Sequence, residues 1–181
     1  SAASDVYKRQ DEIDDQTVPR IAEALSNAVS RSAMRMQLRE RADGLVLVED
    51  CYNANPDSMA ASLATMGHVL ETRRARDPQT RGVAVLGDML ELGRDSARLN
   101  AQSGRRAAQA GFDVVIAVGD EAENIAEGAR AGGAHVIVST VEEAAGSLGW
   151  TSHDVVLLKA SRGLALERVG RDVFEEREDQ A

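Results

Sequence analysis

From Gly44 onward the chain alternates short Val-rich runs with longer amphipathic stretches, and few architectures accept that order. The apolar runs are LVLVED (45–50), GVAVLG (82–87), DVVIAVG (113–119), AHVIVS (134–139) and DVVLLK (154–159). Each is nearly continuous rather than alternating, which is how a strand reads when both faces of a parallel sheet are covered. Between and after them the spacing predicts helices over 56–75, 95–110, 121–131, 141–149 and 164–178. In the first of these, Met59, Leu63, Met66 and Leu70 recur at three and four residues, the spacing of one buried helical stripe. The expected fold is a doubly wound α/β domain, a mostly parallel Rossmann-like sheet with helices on both faces.

The segment before this pattern is different. Residues 1–16, SAASDVYKRQDEIDDQ, show no periodicity, no initiator Met and a dense acidic end, and read as a disordered or non-native leader. Val18, Ile21, Ala22, Leu25, Ala28 and Val29 then mark one face of a short helix. In MRMQLR the residues Met34, Met36 and Leu38 alternate with Arg35, Gln37 and Arg39, the period of a half-exposed strand or linker.

Charge and composition exclude several partners. The net charge is -9 and aromatic residues make up 3%, so neither a phosphate-neutralising stripe nor a base-stacking surface is expected, and nucleic acid is not a partner. The single cysteine, Cys51, cannot close an internal disulfide, which suits a reducing cytoplasm. No apolar run has the length to span a bilayer, so no membrane insertion is expected, and a monomer is the expected state.

In open parallel sheets ligands sit beyond the carboxyl ends of the strands, so the loops there carry the information. In EDCYNANPDS (49–58), Asn55 suits an N-cap, Pro56 the first helical position and Asp57 the positive end of the helix dipole. A plain turn needs no more than these. Asp50, Tyr52 and Asn53 are left over, and an acid at a strand end with a ring and an amide beside it fits a ribose and base as well as a solvated turn. The loop LGDMLELGRDS sets Asp88 and Glu91 between two glycines, as a paired site for a metal or an amine or as solvated acids. In LLKASRG, Lys159, Ser161 and Arg162 stand at the entrance of the final helix, either as an anion site or as a capped helix with solvated cations. The three histidines read as packed or surface residues, and Cys51 has no partner of the kind a nucleophile requires. Neither G-x-G-x-x-G after the first strand nor G-x-x-x-x-G-K-[ST] is present, so the chain has no phosphate cradle of its own.

Taken together, DCYNANPDSM, VLGDMLELG and LLKASRG resemble, in order and spacing, the C-terminal domain of the Mur ligases, and within them the branch that joins D-alanyl-D-alanine to UDP-N-acetylmuramoyl-tripeptide. The resemblance covers about residues 18–178, with MRMQL similar to the segment that enters that domain. It implies that 17–38 are the end of a central ATPase domain and its linker, and 39–181 the C-terminal domain. It also implies an ATP-dependent amide-forming ligase of peptidoglycan assembly that works through an acyl phosphate, with Mg2+ offsetting the phosphate charge. By matching position, Arg35 would meet the ATP phosphates or ribose, Asp50 the ribose, and Tyr52, Asn53 and Asn55 the adenine side. Asp88 and Glu91 would line the cleft near the incoming amine, and Lys159, Ser161 and Arg162 would face the dipeptide carboxylate. Two positions depart from the family pattern. Ala160 replaces a Gly, where a positive φ would now be strained, and Asn100 stands where relatives often carry a His. The P-loop and the magnesium acid of the family are not in this sequence, so catalysis by this chain alone is not expected. The rival readings are a stand-alone flavodoxin-like nucleotide-binding module without catalysis, and a ligase-derived remnant that folds but binds nothing.

Overall fold

The computed structural model describes residues 34–175; the predicted leader over 1–16 and the helix over 18–29 lie outside them. Six strands form one sheet: β1 (Gln37–Glu40), β2 (Val46–Glu49), β3 (Arg81–Gly87), β4 (Val114–Val118), β5 (His135–Ser139) and β6 (Asp154–Lys159). Among the described residues four α-helices accompany them: α1 (Pro56–Arg74), α2 (Ser96–Gln109), α3 (Ala122–Gly132) and α4 (Glu167–Glu175). The strand order is β1-β2-β6-β3-β4-β5, with β1 antiparallel to β2 and every other pairing parallel. This is the mostly parallel α/β sheet that the continuous Val-rich runs predict.

Side chains alternate between two cores. Val46, Val48, Ala84, Leu86, Val155 and Leu157 pack with Met59, Leu63, Met66 and Leu70 of α1 and with Ile125 and Ala129 of α3. Leu47, Val83, Val85, Val156 and Leu158 face the other way, onto Val169 and Val173 of α4, Leu166 just before it and Trp150. Each fully buried Leu, Ile or Met of this kind contributes roughly 1.5–3 kcal/mol through burial. Helices therefore cover both faces, and β6, wholly buried, runs through the middle.

Local chemistry sets the start of α1. Asn55 Oδ1 accepts from Ser58 N at 2.8 Å and Ser58 Oγ accepts from Asn55 N at 3.1 Å, a reciprocal capping box with Pro56 at the first helical position. At the far end Arg73 donates to Gly44 O and Arg74 to Gly111 O, both at 2.8 Å, so the last-turn cations tie the helix to two loops.

Two predicted helices differ from the structure. The stretch 141–149 holds only a 3-10 turn, Ala145–Ser147. Gly146 and Gly149 lower its helical propensity by about 1 kcal/mol each relative to Ala. Its carbonyls are taken by side chains instead, Trp150 Nε1 donating to Ala145 O at 2.6 Å and Ser147 Oγ to Ala144 O at 2.7 Å. The last helix begins at Glu167, not 164, because a 3-10 turn (Arg162–Leu164) precedes it and Ala165 adopts a left-handed φ of 49°. No helix among the described residues is long and apolar enough to cross a membrane.

Candidate functional site: a cleft at the carboxyl ends of β2 and β6

Because β6 inserts between β2 and β3, the loops after these three strands come together at one end of the sheet. Residues 50–55, 88–95 and 160–166, far apart in the chain, become neighbours there.

A cleft of about 260 Å³ opens on this edge, lined by Arg35, Asp50, Tyr52, Asn53, Asn55, Ser58 and Lys159. All five residues that the sequence assigns to a nucleotide are in it. Its floor is an ion pair: Lys159 Nζ lies 3.0 Å from Asp50 Oδ2, and Lys159 is only 1% exposed. Lys159 Nζ also donates to Asn53 O at 2.6 Å. The Asp50 carboxylate accepts in addition from Ser62 Oγ of α1 and from Met36 N, the latter at 3.3 Å. One wall is the Tyr52 ring, 45% exposed, with the Arg35 guanidinium 4.5 Å from its centroid. The opposite rim is the capped N-terminus of α1, with Asn55 and Ser58.

The backbone beside Arg35 is strained. Met34 and Met36 have φ of 62° and 47°, left-handed values that cost a residue with a side chain roughly 1–3 kcal/mol. The period-two reading of Met34 and Met36 therefore gives way, and regular strand begins only at Gln37. The conformation persists because the cleft loop holds it: Tyr52 N donates to Met34 O at 3.1 Å, and Asp50 holds Met36 N. Its result is to lay Arg35 across the Tyr52 ring.

The second group of predicted residues separates. Lys159, expected at the dipeptide carboxylate, sits instead at the floor of the cleft that holds Arg35, Tyr52 and Asn53, paired with Asp50. Asp88 is 3% exposed and turned away from the cleft. Its carboxylate accepts from Asp120 N at 2.9 Å and Glu121 N at 2.8 Å, bracing the β4–α3 loop. A Cβ at Gly119 would lie 2.5 Å from that carboxylate, so this glycine is what lets the loop approach. Ser161, also buried, accepts from Leu90 N at 3.0 Å through Oγ and donates its own N–H to Asp88 O at 3.0 Å. Both residues stitch the β3 and β6 loops together. Glu91 is exposed, at a left-handed φ of 63°. Arg162 is half exposed and bound to Glu167 Oε1 at 2.7 Å. The strain expected at Ala160 is not found: its φ is not positive, and the left-handed residue of this loop is Ala165.

Asn100, noted in the sequence only as a departure from the family pattern, is a structural residue. Fully buried on α2, it accepts from Met89 N at 3.0 Å and donates to Ser96 O at 3.1 Å, so it fixes the loop after Asp88. Cys51 is buried, and that burial pushes its thiol up to about 12, which leaves it protonated and unreactive at neutral pH. Among the described residues no three His, Cys, Asp or Glu side chains cluster to hold a metal ion.

Burial pushes the Asp88 carboxyl above its ordinary value of 3.8, while hydrogen bonds from the Glu121 and Asp120 amides act against the rise. Folding thus favours its neutral form, a contribution fully present below the unfolded value and lost as pH rises through the folded one. The stability advantage of wild type over Asp88→Asn is expected to be larger at about pH 4 than at about pH 7 in urea unfolding. An advantage that grows with pH would show that the amide bonds outweigh burial.

A ring, an acid, two amides and two cations thus line a cleft at the carboxyl ends of parallel strands, the place where open α/β domains bind their ligands. Residues 34–162 match the family model of the Mur ligase, glutamate ligase domain, and the chain belongs to that family. Within it, the chain is 38% identical over 105 residues to the UDP-N-acetylmuramoyl-tripeptide--D-alanyl-D-alanine ligase of Mycobacterium tuberculosis (strain ATCC 25618 / H37Rv), over 57% of this chain and 20% of the relative. It is 31% identical over 149 residues to the ligase of the same name from Bacillus subtilis (strain 168), over 80% of this chain and 31% of that one. The chain thus spans between a fifth and a third of these relatives. Among solved structures it is similar to the MurF ligase of Thermotoga maritima in complex with ADP (TM-score 0.61, 28% identity, 85% of this chain and 33% of that one). It is also similar to MurF from Acinetobacter baumannii (TM-score 0.64, 28% identity, 80% of this chain and 31% of that one).

Proposed function

We propose that this chain is the C-terminal portion of an ATP-dependent ligase that adds D-alanyl-D-alanine to UDP-N-acetylmuramoyl-tripeptide in peptidoglycan precursor synthesis. Its share of that work is the nucleotide-facing half of the site. The observation that carries the reading is the convergence of Arg35, Asp50, Tyr52, Asn53 and Asn55 on one cleft. In support, the named relatives are ligases of this reaction, and one similar structure is described in complex with ADP.

The residues present fit a nucleotide. Asp50, held on three sides, retains acceptor capacity for ribose hydroxyls, since a carboxylate offers about four lone-pair sites. The exposed face of Tyr52 offers a stacking surface beside a base, and Arg35 brings a permanent positive charge to the phosphate side. ATP supplies the phosphoryl group that activates the tripeptide's terminal carboxylate, and Mg2+ travels with it, held by parts of the parent outside this chain. Glu91 and Arg162 face the dipeptide in this reading, whereas Asp88 and Ser161 shape its wall from behind. The reading keeps 17–38 as the end of a central domain with its linker, and places the parent in the cytoplasm as a monomer.

The test is kinetic. In the ligase that carries this chain, Asp50→Asn is expected to raise the KM for ATP about tenfold, the worth of one charged hydrogen bond, and the KM for D-alanyl-D-alanine much less. Equal effects on the two substrates would remove Asp50 from the nucleotide.

A further inference from the structure

The cleft contains two cations, and they differ. Arg35 is exposed and lies over the Tyr52 ring at the mouth. Lys159 is at the floor, its side chain 2% exposed, with its ammonium already donating to the Asp50 carboxylate at 3.0 Å and to the Asn53 carbonyl at 2.6 Å. A cation so enclosed has little surface left for a ligand. Three elements converge on Asp50, namely β6 through Lys159, α1 through Ser62 and the entry segment through Met36. Of these, Lys159 also grips Asn53, and so it sets the distance between the acid and the turn that carries Tyr52 and Asn53.

We infer that Lys159 is a positioning residue: it presets the Asp50 carboxylate and the Asn53 carbonyl for ribose hydroxyls rather than touching the nucleotide itself. This rests on the proposed nucleotide reading of the cleft. It moves Lys159 from substrate contact to scaffold, and it explains why a lysine, with three donors on one rotatable centre, stands at the end of a wholly buried strand.

The experiment combines a ligand-free and a ligand-bound readout on the full chain, with Lys159→Met, Asp50→Asn and the double variant. The double variant removes both charges together and keeps the test alive if Lys159→Met alone fails to fold. Without ligand, amide exchange at Met36, whose N–H is held by Asp50, is expected to speed up in Lys159→Met; unchanged exchange overturns the inference. NMR titration with ADP is expected to show affinity reduced about tenfold in Lys159→Met, with no further loss in the double variant beyond Asp50→Asn. An ADP analogue lacking both ribose hydroxyls is expected to bind wild type and Lys159→Met alike. Equal loss for ADP and the analogue, additive with Asp50→Asn, would mean that Lys159 meets the phosphates directly and overturns the inference. If wild type binds no ADP, the nucleotide reading of this chain fails and the preset for ribose fails with it; faster Met36 exchange would then show only that Lys159 orders the loop.

Discussion

The Asp50→Ala chain is expected to lose about 3 kcal/mol of unfolding free energy, the lower end of the range for removing one partner of a buried ion pair. The cause is what remains rather than what is removed. Lys159, 1% exposed, would keep only the Asn53 carbonyl, and an ammonium out of water with one acceptor is poorly compensated. The open side of the cleft lets water reach the vacated place, which holds the cost at the lower end. Replacing both partners by apolar residues, Asp50→Leu with Lys159→Met, is expected to recover most of the loss, because no buried charge is then stranded. Urea unfolding of wild type, Asp50→Ala and the double variant checks this. A single-variant loss below about 0.5 kcal/mol would place the pair among solvated surface bridges, which are worth that little.

Gly128→Ala is expected to destabilise the fold by about 2–3 kcal/mol, although alanine is the better helix former by about 1 kcal/mol. Helices α2 and α3 touch backbone to backbone at two glycines. A Cβ at Gly128 would lie 1.7 Å from Ala101 O, and one at Gly104 would lie 1.9 Å from Ile125 O. Neither neighbour is a flexible side chain that could swing aside, so the helices must part. Gly133 separates this cause from backbone strain: it ends α3 at a left-handed φ of 96° with nothing within 4 Å of a built Cβ. Its alanine variant should cost only about 1 kcal/mol, the strain of that conformation. Denaturation midpoints that rank Gly133→Ala below Gly128→Ala would contradict the packing account.

How much was legible in the sequence depends on the distance over which each feature is decided. Four of the five Val-rich runs are strands buried almost throughout, because burial on both faces leaves its mark along a run, and the fifth, β5, is a half-exposed edge strand that keeps the same composition. The start of α1 was legible for a similar reason, since its capping box joins residues three apart. The helix expected over 141–149 fails because its spacing says nothing of Trp150, whose indole takes a carbonyl that a helix would need. At the cleft, residue types mark Asp50, Tyr52 and Asn53 as more than a turn requires, yet they do not reveal what holds them. Lys159 and Asn53 are 106 residues apart, and Asp88 meets the Asp120 and Glu121 amides across more than thirty.

By itself the sequence determined the alternation of strand and helix, the cap of α1 and the grouping of Asp50, Tyr52 and Asn53 in one candidate site, because each follows from local spacing or residue chemistry, while Arg35 and Asn55 joined that group through the family resemblance. Only the tertiary structure decided that β6 enters between β2 and β3, and with that the rest followed. The insertion places Lys159 against Asp50 and Ser161 against the β3 loop, while Asp88 turns inward to the start of α3. The physical reason is that a parallel strand is paired through hydrogen bonds to neighbours distant in the chain, and the side chain at its end meets whatever loop those neighbours carry. No window of the sequence contains both partners.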